Sequence, residues 1–103
     1  MIYELRIYTC RPGSVATVLE MWKSEGQAMI APYMKMAGQW VAETGIVNQI
    51  YTLWEFEDMN HRQRARQALL ADAAFAAYLA EVRQFYIEQE VVFLSPTELS
   101  PIR

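Results

Sequence analysis

Three polar side chains alternate along the start of the chain in a pattern that could hold a small ligand. Glu4, Arg6 and Tyr8 stand two residues apart, so on a β-strand they share one face. A carboxylate, a guanidinium and a phenol around an enclosed space can orient a small polar or acidic molecule. The alternative is structural, since Glu4 and Arg6 can pair with each other or across strands in a buried layer.

A second set of candidate ligand-binding residues lies in the stretch 48–56. Asn48, Thr52 and Trp54 are separated by even numbers of residues, so they share one face of a strand. Together they would supply an amide, a hydroxyl and an aromatic wall to a binding site. A structural role is the alternative, because an asparagine beside a turn often bonds the local backbone and Trp54 can belong to the core.

Two arginines, Arg62 and Arg66, stand one helical turn apart on the apolar side of a predicted helix. Such a pair could bind an anionic ligand. Alternatively, each arginine anchors a carboxylate such as Glu55 or Glu57 while its aliphatic stem packs on the core.

The remaining reactive side chains are isolated. His61 has no acidic or cysteine neighbour at a motif spacing, so neither a metal site nor a catalytic triad is indicated. Cys10 is the only cysteine, which excludes an internal disulfide and fits a reducing, cytoplasmic compartment. The scattered glycines form no phosphate-binding loop. We therefore predict no metal and no cofactor, and the sequence leaves open whether the protein is an enzyme.

Composition limits the class of protein. With 103 residues, 53% of them hydrophobic and 20% charged, the chain predicts one globular domain over residues 1–103. Residues 95–103 hold two prolines and are expected to form an extended C-terminal arm. The net charge of −3 argues against nucleic acid as a partner. No apolar run approaches the ~20 residues of a membrane span, and the first residues resemble a strand and not a signal peptide.

The stretch that carries Trp54 organises the predicted fold. Residues 48–56 are rich in β-branched and aromatic types and follow a turn signal at Gly45. Both faces of this strand are largely apolar, so both need covering. A chain this small can lay helices over only one face of a sheet and is marginally stable alone. We therefore expect a homodimer in which a second copy covers the other face.

Patterns along the chain predict the order β-α-β-β-α-β, the ferredoxin-like α+β arrangement with an antiparallel sheet and helices on one face. The predicted strands cover residues 2–9, 39–44, 48–56 and 89–94. The first helix should run over about 14–25 with Ser14 as its N-cap. A kink or a second short helix should follow, because Gly26 and Pro32 weaken the later part. The second should begin at a cap provided by Asp58 or Asn60, and a further cap at Asp72 should break and restart it.

Several separated blocks of this sequence resemble the NIPSNAP family. They are the opening Met1–Tyr8, Asn48-Gln49 with Leu53-Trp54, Arg62 with Arg66, and Gln89-Glu90 with Leu94-Ser95-Pro96. The resemblance implies a dimeric α+β barrel, in which two ferredoxin-like subunits pack sheet against sheet, and it implies no established catalytic activity. Related barrels include cofactor-free monooxygenases, an analogy of fold alone. Similar sequences often carry histidine at the position of Thr52, so this chain lacks that candidate general base.

Three functions follow as hypotheses. The first is a homodimer that binds a small molecule in the barrel cavity; the others are a cofactor-free oxygenase- or isomerase-like enzyme and an interaction module with a filled barrel. We expect the apolar face of the first strand, with Tyr3, Leu5 and Ile7, to pack under the helices. The polar face would then line the cavity between the two sheets, together with Thr52 and Trp54.

Overall fold

One antiparallel sheet of four strands supports the helices of this protein. The computed structural model describes all residues from 1 to 103. The strands are β1 (Ile2–Cys10), β2 (Lys35–Val41), β3 (Gln49–Phe56) and β4 (Tyr86–Leu94). They lie in the order β2-β3-β1-β4, so the first strand is central. The ferredoxin-like α+β arrangement predicted from the sequence is confirmed.

The register of the strands determines which side chains share a face. β1 pairs antiparallel with β3 along nearly its whole length, with Glu4 opposite Trp54 and Arg6 opposite Thr52. On its other side β1 pairs antiparallel with β4. β2 and β3 also pair antiparallel, with an irregularity between residues 36 and 38. The polar side chains of β1 therefore lie on the same face as Trp54.

The first helical region is one continuous run of three segments. They are α1 (Val15–Met21), a π-helical segment (Trp22–Gly26) and α2 (Gln27–Ile30). Ser14 occupies the N-cap as predicted, but its hydroxyl donates to the carbonyl oxygen of Arg11 at 2.7 Å. The helix continues past its predicted end through Gly26, which packs against Tyr78. A Cβ at Gly26 would lie 2.5 Å from the Tyr78 hydroxyl oxygen, so the close contact requires glycine.

Two further helices follow β3, namely α3 (Met59–Ala71) and α4 (Ala73–Val82), and a short 3-10 turn (Arg83–Phe85) leads into β4. Asp58 caps α3 by accepting from the backbone N–H of His61 at 2.8 Å. Asp72 accepts from the N–H groups of Ala74 and Phe75, and its extended backbone separates the two helices. No helix has the length and apolar character needed to cross a bilayer.

Two strands begin earlier than the sequence patterns predict. β2 starts at Lys35 and includes Gly38, and β4 starts at Tyr86. Glycine in a strand usually weakens it, but here a Cβ on Gly38 would collide with the indole of Trp40. The glycine therefore gives this indole room to lie against the strand.

The core lies between the helices and one face of the sheet. Ile50, Trp54 and Phe56 on that face are at most 3% exposed, and they belong to one buried cluster with residues of every α-helix: Val18, Ile30, Leu69, Phe75 and Val82. Burial of these apolar side chains stabilises the fold by about 1.5–3 kcal/mol for each large residue.

The orientation predicted for β1 is wrong. Glu4 and Arg6 lie on the face under the helices and are 0% and 8% exposed. Leu5 and Ile7 lie on the opposite face, which the helices do not cover, and they are half-buried. Side-chain alternation defines two faces but does not say which one meets the helices, and here a helix supplies an ion-pair partner for the polar face.

The C-terminal residues 95–103 contain no helix or strand. The backbone N–H of Ser100 donates to the carbonyl oxygen of Thr97 at 3.1 Å, so the chain turns there. This tail and the uncovered sheet face bound a cavity of about 190 Å³, whose lining includes Tyr3, Leu53 and Ile102. The tail therefore lies beside Tyr3, which is 5% exposed.

Candidate functional site

A buried carboxylate, that of Glu4, is held by two arginines. Its Oε2 accepts from Nη1 of Arg6 at 2.8 Å, and its Oε1 accepts from Nε of Arg62 at 2.7 Å. Nε of Arg6 also donates to the Tyr8 hydroxyl at 2.8 Å. A buried carboxylate is tolerated when it is paired and hydrogen-bonded, so this cluster fixes β1 to α3 through charge-assisted bonds.

Arg6 stays charged in this cluster. Burial opposes the charged guanidinium, but Tyr8 and the hydrogen-bonded carboxylate of Glu4 together outweigh it and raise the pKa of Arg6. The side chain therefore remains a hydrogen-bond donor at every physiological pH.

Arg62 and Arg66 have different environments although they stand one turn apart on α3. Arg62 pairs with Glu4, and its guanidinium also lies 5.2 Å from the centroid of the Phe93 ring. The carboxylates suggested from the sequence are not its partners, because Glu55 pairs with Lys35 on the neighbouring strand.

Arg66 has no carboxylate partner. None of the three ion pairs of the structure includes it, and it is half-buried. Burial, followed by the positive charge of Arg6, lowers the pKa of Arg66. Of the two arginines, only Arg62 anchors a carboxylate of the chain.

An apolar cavity of about 50 Å³ lies beside Arg66, between the sheet and the helices. Eleven of its thirteen lining residues are hydrophobic, and the other two are Arg6 and Arg66. Trp54 lines it from β3, and Trp22 lines it from the π-helical segment. The ring centroids of the two tryptophans are 6.0 Å apart, so together they form an aromatic wall.

An outer chamber of about 180 Å³ adjoins this cavity and shares Arg6, Tyr8 and Arg66 with it. Exposed side chains that include Arg83 and Gln89 bound the outer chamber. We call the cavity and the chamber together the helix-side cleft. No carboxylate, histidine or cysteine lines either part.

Two buried polar atoms in the cleft wall lack a hydrogen-bond partner, Nε1 of Trp22 and the hydroxyl of Tyr78. The Trp22 indole lies near the Tyr86 hydroxyl without reaching ordinary hydrogen-bond geometry. Burial raises the pKa of Tyr78 to about 12, so this phenol stays protonated. Unpaired buried polar groups are rare because each loses its hydration without replacement. Both groups therefore lack a hydrogen-bond partner within the chain, and the Tyr78 hydroxyl lies against Gly26, which does not line the cleft.

The structure divides the residues singled out from the sequence into two groups. Asn48 has a φ of 64° before β3, and its carbonyl oxygen accepts from the N–H of Cys10 at 2.7 Å, which is a turn role. Thr52 is 0% exposed, and its hydroxyl accepts from Gln39 at 3.2 Å. Neither residue lines the cleft, and neither do Glu4 and Arg62. The residues brought together at the cleft are Arg6, Tyr8, Trp54 and Arg66.

Trp22, Tyr78 and Arg83 are among the cleft residues that were not candidates in the sequence. Trp22 and Tyr78 follow helical spacing and resemble ordinary core residues, and Arg83 follows the last turn of α4. The only sequence signal was the polar tip that Trp22 and Tyr78 each carry into an apolar stripe.

The isolated reactive residues lie away from the cleft. Nδ1 of His61 accepts from the backbone N–H of Glu57 at 3.0 Å. Cys10 is unpaired and 0% exposed, and burial raises the pKa of its thiol. The structure groups no three His, Cys, Asp or Glu side chains as a metal site requires.

Comparison with known proteins identifies relatives over the whole chain. The sequence model of the NIPSNAP family matches residues 3–101. Human Protein NipSnap homolog 3A is 27% identical over 103 residues, which are 99% of this chain and 42% of that relative. The chain thus spans about two fifths of the length of the curated relatives it matches.

Solved structures show the same architecture. A NIPSNAP domain protein from Burkholderia xenovorans superposes with a TM-score of 0.95 at 31% identity, covering 98% of this chain and 99% of that one. An antibiotic biosynthesis monooxygenase superposes with a TM-score of 0.69 at 13% identity, covering 94% of this chain and 99% of the other. At that identity the likeness concerns the fold alone.

Proposed function

This chain belongs to the NIPSNAP family, and we propose that it binds a small molecule in the helix-side cleft of each subunit of a homodimer. The observation that carries the proposal is an apolar cavity with polar groups that have no partner. These groups are the indole N–H of Trp22 and the guanidinium of Arg66. Small-molecule sites combine mostly apolar walls with a few convergent polar groups.

The proposed site differs in position from the one expected between two sheets. Because β1 turns its polar face to the helices, Arg6, Tyr8 and Trp54 reach a cavity within one subunit. The inner cavity is small, at about 50 Å³, so the ligand would place its apolar end there and extend into the outer chamber.

The homodimer is supported by the uncovered face of the sheet. Leu5, Ile7, Tyr51 and Leu53 are half-buried on this face, and Trp40 is 55% exposed. A contiguous apolar patch on a small protein commonly marks an interface, and a two-fold dimer pairs such a face with its own copy. A stable interface of this kind buries on the order of 2,000 Å² in total.

A cofactor-free oxygenase- or isomerase-like enzyme is the alternative. The cleft offers arginines and phenols but no carboxylate, histidine or cysteine, and acid–base catalysis at neutral pH generally uses a group with a pKa near 7. The lining therefore favours binding. An interaction module without a site is the third hypothesis, and the cavity beside the unpaired Arg66 argues against it. A cytoplasmic location stays a prediction from the single cysteine.

Native mass spectrometry of the protein purified without denaturant tests this proposal. We expect twice the chain mass together with a retained small molecule. Leu79, half-buried, lines both parts of the cleft, so Leu79→Trp should fill the cleft and abolish the retained mass. Ala80→Trp, at the exposed neighbouring position, should keep it. A monomer would contradict the dimer, and a dimer without added mass would contradict the binding role.

A further inference from the structure

We infer that the ligand of the helix-side cleft is a small oxyanion with an apolar body, whose carboxylate or phosphate group is bound by Arg66 and Arg83. This inference rests on the proposed function and names the chemical class of the ligand.

Positive charge is left without a counter-charge at the cleft. Arg6 and Arg62 share the single carboxylate of Glu4, whereas Arg66 and Arg83 take part in no ion pair. None of the residues that line the cleft is acidic. The chain as a whole carries a net charge of −3, so this concentration of arginines is a local exception that would attract an anion.

The guanidinium of Arg66 is also short of hydrogen-bond acceptors. It is half-buried and has five N–H donors, yet no carboxylate of the chain reaches it. The lowered pKa of Arg66, caused first by burial and next by Arg6, reflects this unfavourable environment. A planar guanidinium binds carboxylate and phosphate oxygens in pairs, so an oxyanion would supply both missing acceptors and missing charge.

The inner cavity indicates the chemistry of the other end of the ligand. Its walls are hydrophobic apart from Arg6 and Arg66, and Trp22 and Trp54 meet there. A flat ring or a short alkyl chain would replace water against these aromatic rings, which is favourable for apolar surface. A ligand with an apolar end and an anionic end would place the apolar end in the inner cavity and the anionic end in the outer chamber.

Three probes with a common phenyl body test this inference: 3-phenylpropanoate, 2-phenylethyl phosphate and 3-phenylpropanamide. The titrations use the Trp40→Phe protein, because Trp22 and Trp54 then provide all tryptophan emission and both line the cavity. The carboxylate or the phosphate should quench or shift this emission at a concentration about tenfold below that of the amide, since bonds to charged groups are the stronger ones. The tighter of the two anions identifies the head group.

Substitutions identify the arginine responsible. Arg66→Met should weaken anion binding about tenfold and leave amide binding unchanged. Arg83→Met should also weaken anion binding, and because Arg83 is exposed, its replacement should not affect folding. Arg64→Met, at an exposed position of the helix that carries Arg66, is the control for both substitutions. Equal affinity for anions and amide, or anion binding that survives both Arg66→Met and Arg83→Met, would overturn the inference while leaving the cleft as a binding site. Failure of all three probes to bind would overturn the proposed function itself.

Discussion

At the scale of single residues, Glu4 determines how the first strand faces the rest of the molecule. The pairing of Glu4 with Arg6 was one of two interpretations of the sequence, and the structure contains that pair at 2.8 Å. The contribution of Arg62 was not predictable in detail, because its partner lies 58 residues away on another element. Sequence spacing locates charges on a face, but only the packing of α3 against β1 decides which charges meet.

The ion-paired cluster gives a prediction about stability. Arg62→Ala should lower the free energy of unfolding by about 1–3 kcal/mol, because the fully buried carboxylate of Glu4 loses a charge-assisted partner. Arg64→Ala, at an exposed position of the same helix, should change it by no more than about 0.5 kcal/mol. Urea denaturation followed by circular dichroism measures both variants. Equal losses would show that the bond between Arg62 and Glu4 does not stabilise the fold.

At the scale of elements, the caps at Asp58 and Asp72 were predictable, whereas the hydrogen bond of the Ser14 hydroxyl and the π-helical segment were not. Asp58 and Asp72 act within a few residues of their own positions, so their effect can be read from local sequence. Gly26 lies within a helix that its intrinsic propensity would weaken, and its missing side chain makes room there for Tyr78 of α4. That contact joins residues 52 positions apart, and such tertiary packing overrides local propensity.

Asp72 gives a prediction about pH. Its Oδ2 accepts from the Tyr33 hydroxyl at 2.7 Å, and this bond, followed by the backbone N–H of Phe75, lowers its pKa below the ordinary value of 3.8. A carboxyl group with a lowered pKa stabilises the fold above its unfolded pKa, and that contribution is lost as the pH falls through the folded pKa. Asp72→Ala should therefore lower the melting temperature at pH 7.

Measurements on Asp72→Ala over a range of pH provide the control for this prediction. The difference in melting temperature between the wild type and Asp72→Ala should shrink as the pH falls below about 3.8, where the wild-type carboxyl becomes protonated. Tyr33→Phe should also have a lower melting temperature than the wild type, because it removes the first of the bonds to Asp72. A difference that stays constant from pH 7 to pH 3 would contradict the assigned role of the ionised carboxylate.

At the scale of the whole molecule, the order of strand and helix patterns was sufficient to predict the architecture. The position of the cleft was not predictable, because Trp22, Trp54 and Tyr78 come from separate elements that meet only in the folded chain. Alternation alone does not assign the two faces of β1, and the prediction that its apolar face packs under the helices is wrong. The structure places Glu4 and Arg6 under the helices and Leu5 and Ile7 on the uncovered side.

This arrangement separates two roles between the two sides of one sheet. The helix side holds the proposed ligand within a single subunit, and the uncovered side meets the proposed second copy. Substitutions in the cleft, such as Arg66→Met, should therefore change ligand binding without changing the oligomeric state.

The position of a bound ligand tests the central claim most directly. A crystal structure of the protein with 3-phenylpropanoate should show the phenyl ring between the sheet and the helices, against Trp22 and Trp54. The carboxylate should lie within hydrogen-bond distance of the Arg66 guanidinium. Ligand density between two paired sheets, or only on the outer surface of the helices, would contradict the account.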